Sequence, residues 1–156
     1  MLSMQGSAMD DELVTELRRR GLRVTSQRIV IHRALCSRDQ HMTAEQVLER
    51  VSDVLPGVSL PTVYATLELL EDLGLVRRFG TGTGAVLFDS RVEPHAHTVC
   101  RRCGATADLD GSALSEHAFA RAEETGFVPD HAQLVVWGLC GRCAAAPEED
   151  TAAAAS

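Results

Sequence analysis

No apolar run in this 156-residue chain approaches the roughly 20 residues that a membrane-spanning helix needs. The first nine residues also lack the basic stretch and apolar core of a secretory leader. A soluble, cytoplasmic globular protein is therefore expected, with enough apolar content, 45%, for one ordinary core or two small ones. Nothing marks the chain for an oxidising compartment, so its cysteines are expected to stay reduced and free for metal. An excess of positive charge is missing too. The formal net charge is −7, which as a whole-chain average argues against nucleic acid as a partner.

Counting by segment changes that inference. Residues 1–84 hold ten Arg against eleven acids, and residues 85–156 hold five Arg against eleven. Between Arg18 and Arg33 there are six Arg and no acid, starting with the run Arg18, Arg19, Arg20. Phosphate contacts need only such a local patch, although a solvated helix face would show the same run.

The punctuation of the N-terminal half predicts helices. Asp10 to Arg20 has acids in its first turn, Leu13 and Leu17 on one face, and Gly21 as a stop. A second helix is predicted from about Ser26 to Ser37. A third starts at the capping box Thr43-Ala44-Glu45-Gln46 and ends near Val54, before Pro56-Gly57. Ser59 caps a fourth through Leu73, with Val63, Leu67 and Leu70 inward, Pro61, Tyr64, Ala65 and Glu68 on the opposite face, and Gly74 as the stop. Two strand-like runs follow, Leu75 to Gly80 and Ala85 to Asp89, joined by Thr81-Gly82-Thr83-Gly84 as a hairpin. Helices followed by a β-hairpin is the order of a winged helix-turn-helix, in which the helix from Ser59 would enter the major groove by its N-terminal end.

The C-terminal half predicts strands at His97 to Arg101, Ala105 to Leu109 and Leu134 to Leu139, with a helix from Ser112 to Thr125. So small a sheet has exposed edges, and a two-fold dimer would cover one. The fold class is thus α/β (α+β): an N-terminal winged helix-turn-helix plus a small αβ dimerisation domain. The expected division is 10–84 for DNA binding, 85–94 for a hinge, 95–143 for dimerisation and zinc, and disordered tails at 1–9 and 144–156.

Two constellations carry metal chemistry. Cys100-x-x-Cys103 and Cys140-x-x-Cys143 each bring two thiolates close enough to share an ion, and together they complete the S4 shell of a structural Zn²⁺. Disulfides and a redox-active C-x-x-C are the competing readings. His95 and His97 lie two apart at a strand start, so their imidazoles project to one face. Asp89 and Asp108 are the nearby carboxylates, and His41 sits in the turn before the third helix.

The segments GLRVTSQR (21–28), HMTAEQV (41–47), SLPTVYATLELLEDLGLV (59–76), LFD (87–89), HAHTVCRRCG (95–104) and WGLCGRC (137–143) resemble the ferric uptake regulator family in order and spacing. The resemblance spans roughly residues 10–143. It implies a dimeric, metal-dependent DNA-binding regulator. By that resemblance Cys100, Cys103, Cys140 and Cys143 hold structural zinc, and His41, Asp89, His95, His97 and Asp108 form a regulatory site linking the two domains. Three imidazoles and two carboxylates without thiolate suit Fe²⁺ or Mn²⁺ better than a zinc sensor. Iron-sensing members tend to have Glu at the positions of Asp89 and Asp108, whereas the peroxide-sensing, PerR-like branch tends to have Asp at both. The chain follows the second pattern, which implies Fe²⁺-dependent oxidation of His41 or His95 by H2O2.

A repressor is therefore expected, and the two-fold axis of a dimer calls for a palindromic operator. Tyr64 would contact base or sugar, while Ser59, Thr62, Arg23 and Arg28 would hold phosphate or minor groove. The chain departs from the family pattern at Ala65, where many relatives have Arg. Pro94 and Ala96 also flank the His pair where some relatives place ligands of a further metal site. His131 is one residue out of register for such a site and reads as structural. Cys36 reads as a small buried residue, and His32 and His117 as ordinary core or surface histidines. A metallohydrolase and a zinc-organised adapter are the rival functions. The first lacks an evident general base beyond the ligands, and the second leaves the arginine stretch unexplained.

Overall fold

The computed structural model describes residues 5–37, 41–82, 84–93, 95–110 and 112–146. The chain divides into two units, Met1–Glu93 and Pro94–Ser156.

Among the described residues four helices build the first unit: α1 (Gln5–Arg19), α2 (Ser26–Cys36), α3 (Ala44–Val51) and α4 (Leu60–Asp72). Each boundary has a local cause. The Thr25 hydroxyl accepts from the Arg28 amide at the start of α2. At α3 the predicted capping box is complete, with Thr43 Oγ1 accepting from the Gln46 amide at 3.3 Å and Gln46 Oε1 accepting from the Thr43 amide at 2.9 Å. Gly21 and Gly74 end α1 and α4 at φ of +68° and +75°. In each case two amides reach back over the last turn: Gly21 to Arg18 O and Leu22 to Leu17 O, then Gly74 to Glu71 O and Leu75 to Leu70 O. That pattern needs a left-handed residue, which only glycine adopts without strain.

The apolar spacing then decides the core. Leu13, Leu17, Ile31, Leu35, Val47, Val63, Leu67 and Leu70 are fully buried in one cluster, joined by Phe88 from the hairpin. The hairpin pairs β1 (Arg77–Gly80) with β2 (Val86–Asp89) antiparallel, Arg77 opposite Asp89. A two-bond bridge between Met42 and Phe88 ties β2 to the residues that precede α3.

Several boundaries differ from expectation. The stretch 1–9 was expected as a tail, but α1 already begins at Gln5, because Ala8 and Met9 are good helix formers and extend the stripe-bearing helix backwards. The stretch 85–94 was expected as a hinge, and within it residues 86–89 are the ladder-paired strand β2 of the first unit. Helix α3 stops at Val51, three residues early. Thr83 of the hairpin turn and Pro94 lie outside the described residues.

The second unit holds β3 (Ala96–Cys100), β4 (Thr106–Leu109), α5 (Ser112–Glu123), β5 (Leu134–Gly138) and α6 (Gly141–Ala145). The sheet order is β4-β3-β5, with β3 antiparallel to β4 and parallel to β5. Helix α6 carries order to Ala145 in what was expected to be the 144–156 tail, and residues 147–156 lie outside the described ones.

Candidate metal centres and nucleic-acid face

The parallel pairing of β3 with β5 places Cys100 opposite Gly138, so both C-x-x-C motifs leave the sheet from the same end. The first motif turns tightly through Gly104, whose amide donates to Cys100 O at 2.9 Å. The second wraps into α6, with Cys140 at its N-cap. An amide from Arg101 to Gly138 O at 2.8 Å links the two turns. Each cysteine thereby offers an Sγ within 4.8 Å of the other three, and none is in a disulfide.

Backbone amides polarise this cluster. The Cys140 amide donates to Cys100 Sγ at 3.3 Å, and this bond, with that from Cys103, brings the Cys100 thiol down to about 6. The Ala105 amide lowers Cys103. Burial, reinforced by the neighbouring thiols, pushes Cys143 up to about 12. Four thiolates cannot crowd together without a compensating charge, and a tetrahedral thiophilic cation supplies it. The set fits Zn²⁺, with Arg102 donating to Cys143 O and Ala146 O to brace the outer turn.

The imidazole and carboxylate donors fall into two groups. In the first unit, the Met42–Phe88 bridge places His41 beside Asp89, Nε2 to Oδ2 at 3.4 Å, with both side chains buried. The other Asp89 oxygen accepts from the Arg91 amide at 2.7 Å, and the His41 ring meets Phe79 edge-on at 5.2 Å. In the second unit, strand register sets His97 opposite Asp108. His95 Nε2 and His97 Nε2 lie 3.5 and 3.9 Å from Asp108 Oδ1, with ring centroids 4.4 Å apart. Imidazole and carboxylate donors collected this way are suited to a divalent ion of intermediate hardness.

Helix α4 presents Pro61, Tyr64, Ala65 and Glu68 outward, as expected. Ser59 occupies the N-cap, but its hydroxyl pairs with Thr62 Oγ1 at 3.0 Å and caps no amide, which corrects the expected cap. The arginine stretch is less basic in the fold than in the sequence. Glu16 pairs with Arg19 at 2.7 Å and Asp10 pairs with Arg33, while Arg28 donates to Arg23 O. Arg23 is exposed and Arg28 half-buried.

A model of the ferric uptake regulator family matches residues 19–137. The chain belongs to that family. Its members are metal-dependent, DNA-binding transcriptional regulators and not enzymes, which removes the hydrolase reading. The peroxide-responsive repressor PerR of Staphylococcus epidermidis is 30% identical over 145 residues, covering 91% of this chain and 97% of that one. Among solved structures, the ferric uptake regulator from Pseudomonas aeruginosa with manganese is 32% identical at a TM-score of 0.67, covering 81% of this chain and 96% of that one. The Campylobacter jejuni peroxide stress regulator is 25% identical at 0.67, covering 84% and 98%.

Within this chain the remaining singletons sort plainly. His131 is exposed and sits 2.8 Å from the Asp130 carboxylate, and His117 is exposed. His32 is buried in the helical core. Cys36 is half-buried, its thiol pushed up to about 11 by burial. Sequence reading missed Glu45, whose carboxylate accepts the Tyr64 hydroxyl at 3.2 Å from 19 residues away. The capping box located α3 but gave no sign of that cross-helix bond.

Proposed function

We propose that this protein is a homodimeric, cytoplasmic transcriptional repressor that senses peroxide through a bound Fe²⁺, with Mn²⁺ as a non-responsive corepressor and Zn²⁺ as structural metal. In this reading residues 10–84 bind DNA and residues 95–143 dimerise. Cys100, Cys103, Cys140 and Cys143 hold the zinc. His41, Asp89, His95, His97 and Asp108 serve one regulatory ion.

One observation carries the sensing assignment: the second donor set is all nitrogen and oxygen, with Asp at both carboxylate positions. His41, Asp89, His95, His97 and Asp108 would hold the regulatory ion through nitrogen and oxygen alone, a donor set suited to Fe²⁺ or Mn²⁺. Bound Fe²⁺ supplies the redox chemistry that Mn²⁺ does not readily supply. With that ion held, H2O2 would oxidise the ring of His41 or His95, one peroxide oxygen being added to the imidazole and the other leaving as water. Loss of that imidazole donor weakens metal binding and frees the operator. The similarity to the Staphylococcus repressor supports this reading. On the DNA side, Tyr64 contacts base or sugar, and Ser59, Thr62, Arg23 and Arg28 contact phosphate or minor groove on a palindromic operator.

The manganese-bound Pseudomonas relative, at 32% identity against 30% for the Staphylococcus epidermidis repressor, favours a second reading: an iron- or manganese-responsive repressor without peroxide sensing. Gel shifts separate the two. Fe²⁺-loaded protein loses operator binding under low H2O2 while the Mn²⁺-loaded form keeps it, and mass spectrometry finds one added oxygen on the His41 or His95 peptide. An iron form that survives peroxide unaltered leaves the second reading standing. Asp108→Glu is expected to keep metal-dependent binding but to blunt the peroxide response.

A further inference from the structure

Helix α3 fixes how the recognition helix presents its one aromatic side chain. Tyr64 is 37% exposed on the outer face of α4, and its hydroxyl lies 3.2 Å from Glu45 Oε1 in the first turn of α3. Glu45 is itself anchored. Its carboxylate, in the first turn of α3, is held below the usual range first by its own backbone amide and then by the Thr43 hydroxyl and by Tyr64 from α4. An ionised carboxylate has no proton to give, so in this pair the phenol donates and the carboxylate accepts. The phenolic oxygen is left with lone pairs alone to offer a further partner.

We infer that Glu45 is a specificity-determining positioning residue, which orients Tyr64 and commits its proton so that the phenol reads DNA only as a hydrogen-bond acceptor. In the major groove the matching donors are the amino groups of adenine N6 and cytosine N4, whereas guanine and thymine present acceptors there. The inference rests on the reading of Tyr64 as a base-contacting residue. It adds the direction of the hydrogen bond and the residue that sets it. A carboxylate this close to the groove also repels phosphate, so Glu45 contributes to selectivity at some cost in total affinity.

The test uses full-length protein loaded with Zn²⁺ and Mn²⁺, selection from a randomised duplex library, and relative affinities for every single-base variant of the selected site. Tyr64→Phe is expected to flatten a preference for adenine or cytosine by roughly three- to tenfold, the range of one hydrogen bond. Glu45→Ala is expected to flatten the same positions while raising overall affinity. Glu45→Gln retains an acceptor oxygen and should restore the preference, and the Glu45→Ala, Tyr64→Phe double variant should match Tyr64→Phe in base preference while keeping the higher overall affinity. Replacing the preferred base by its analogue without the amino group should cost the parent protein about as much as Tyr64→Phe does. If Tyr64→Phe flattens a position that Glu45→Ala and Glu45→Gln both leave intact, Glu45 has no positioning role. A Tyr64-dependent position that prefers guanine or thymine overturns the acceptor assignment. If Tyr64→Phe leaves every preference unchanged, or the library yields no enriched site, the base-contact reading fails and this inference with it.

Discussion

A buried histidine in a helical core is a pH-sensitive element whatever else the protein does. His32 on α2 is 4% exposed, and its Nδ1 has no hydrogen-bond partner among the described residues. Burial lowers its pKa from the ordinary 6.5, with the Asp10 carboxylate pulling weakly the other way. The unfolded chain therefore takes up the proton before the native one does. The neutral ring's contribution is complete above about pH 6.5 and is lost as pH falls through the lower native value. His32→Leu removes that penalty, so the Tm difference between variant and parent should move in the variant's favour between about pH 7.5 and 5. Thermal melts at matched metal load would show it, and a pH-independent difference would remove His32 as the cause. At this scale the sequence was most legible where chemistry is a property of residue type. Thiols at C-x-x-C spacing and imidazoles two apart on a strand announce themselves. Contacts set by docking of helices do not: Asp10 on Arg33 spans 23 residues and Glu45 to Tyr64 spans 19, with no local pattern marking either.

Elements were legible where their ends carry a stereochemical signal. The Thr43–Gln46 box and Gly21 and Gly74 placed boundaries to within one residue, because an orphan amide or carbonyl at a helix end has few alternative partners. Boundaries drifted where no such residue stands, as at the start of α1, the end of α3 and the short α6, which takes its shape from the second cysteine motif. Gly74 offers the direct test. A Cβ there would meet nothing within 4 Å, so Gly74→Ala carries only the backbone cost of φ +75°, about 1–2 kcal/mol. The Tm of the helical unit is expected to fall by roughly 4–8 °C per kcal/mol, with Gly74→Asn milder, since Asn tolerates the left-handed region better. A Gly74→Ala protein with unchanged Tm would mean the turn after α4 relaxes out of its observed geometry.

On the scale of the whole molecule, the two units are held together internally by different means. The first buries Leu13, Leu17, Ile31, Leu35, Leu67, Leu70 and Phe88 almost completely. Among the described residues of the second, the buried apolar side chains are Ala96 and Val99 with Cys100 and Cys143, while Phe127, Val136, Trp137 and Leu139 are exposed. So thin a core does not offset the conformational entropy of ordering the chain. The missing stabilisation is then expected from a metal at the four thiols and from a second copy covering the apolar surface. If a regulatory metal is also to carry the protein from about 1% to 99% of a DNA-binding form, it must bind that form roughly 10⁴-fold more tightly, about 5.5 kcal/mol. Under the proposed function such coupling would require a second unit that is already rigid, so that zinc at the four thiols would come before any regulatory ion. Cys100→Ser, or a strong chelator, should therefore unfold the Pro94–Ser156 unit while the helical unit keeps its structure. Amide hydrogen exchange would then report lost protection across β3, β4 and β5 but retained protection in α1 to α4, alongside loss of one zinc per chain and of the dimer. Uniform loss across both units would show that they fold as one. Full protection with the zinc gone would show that apolar packing alone suffices, and the four cysteines would no longer be a folding site.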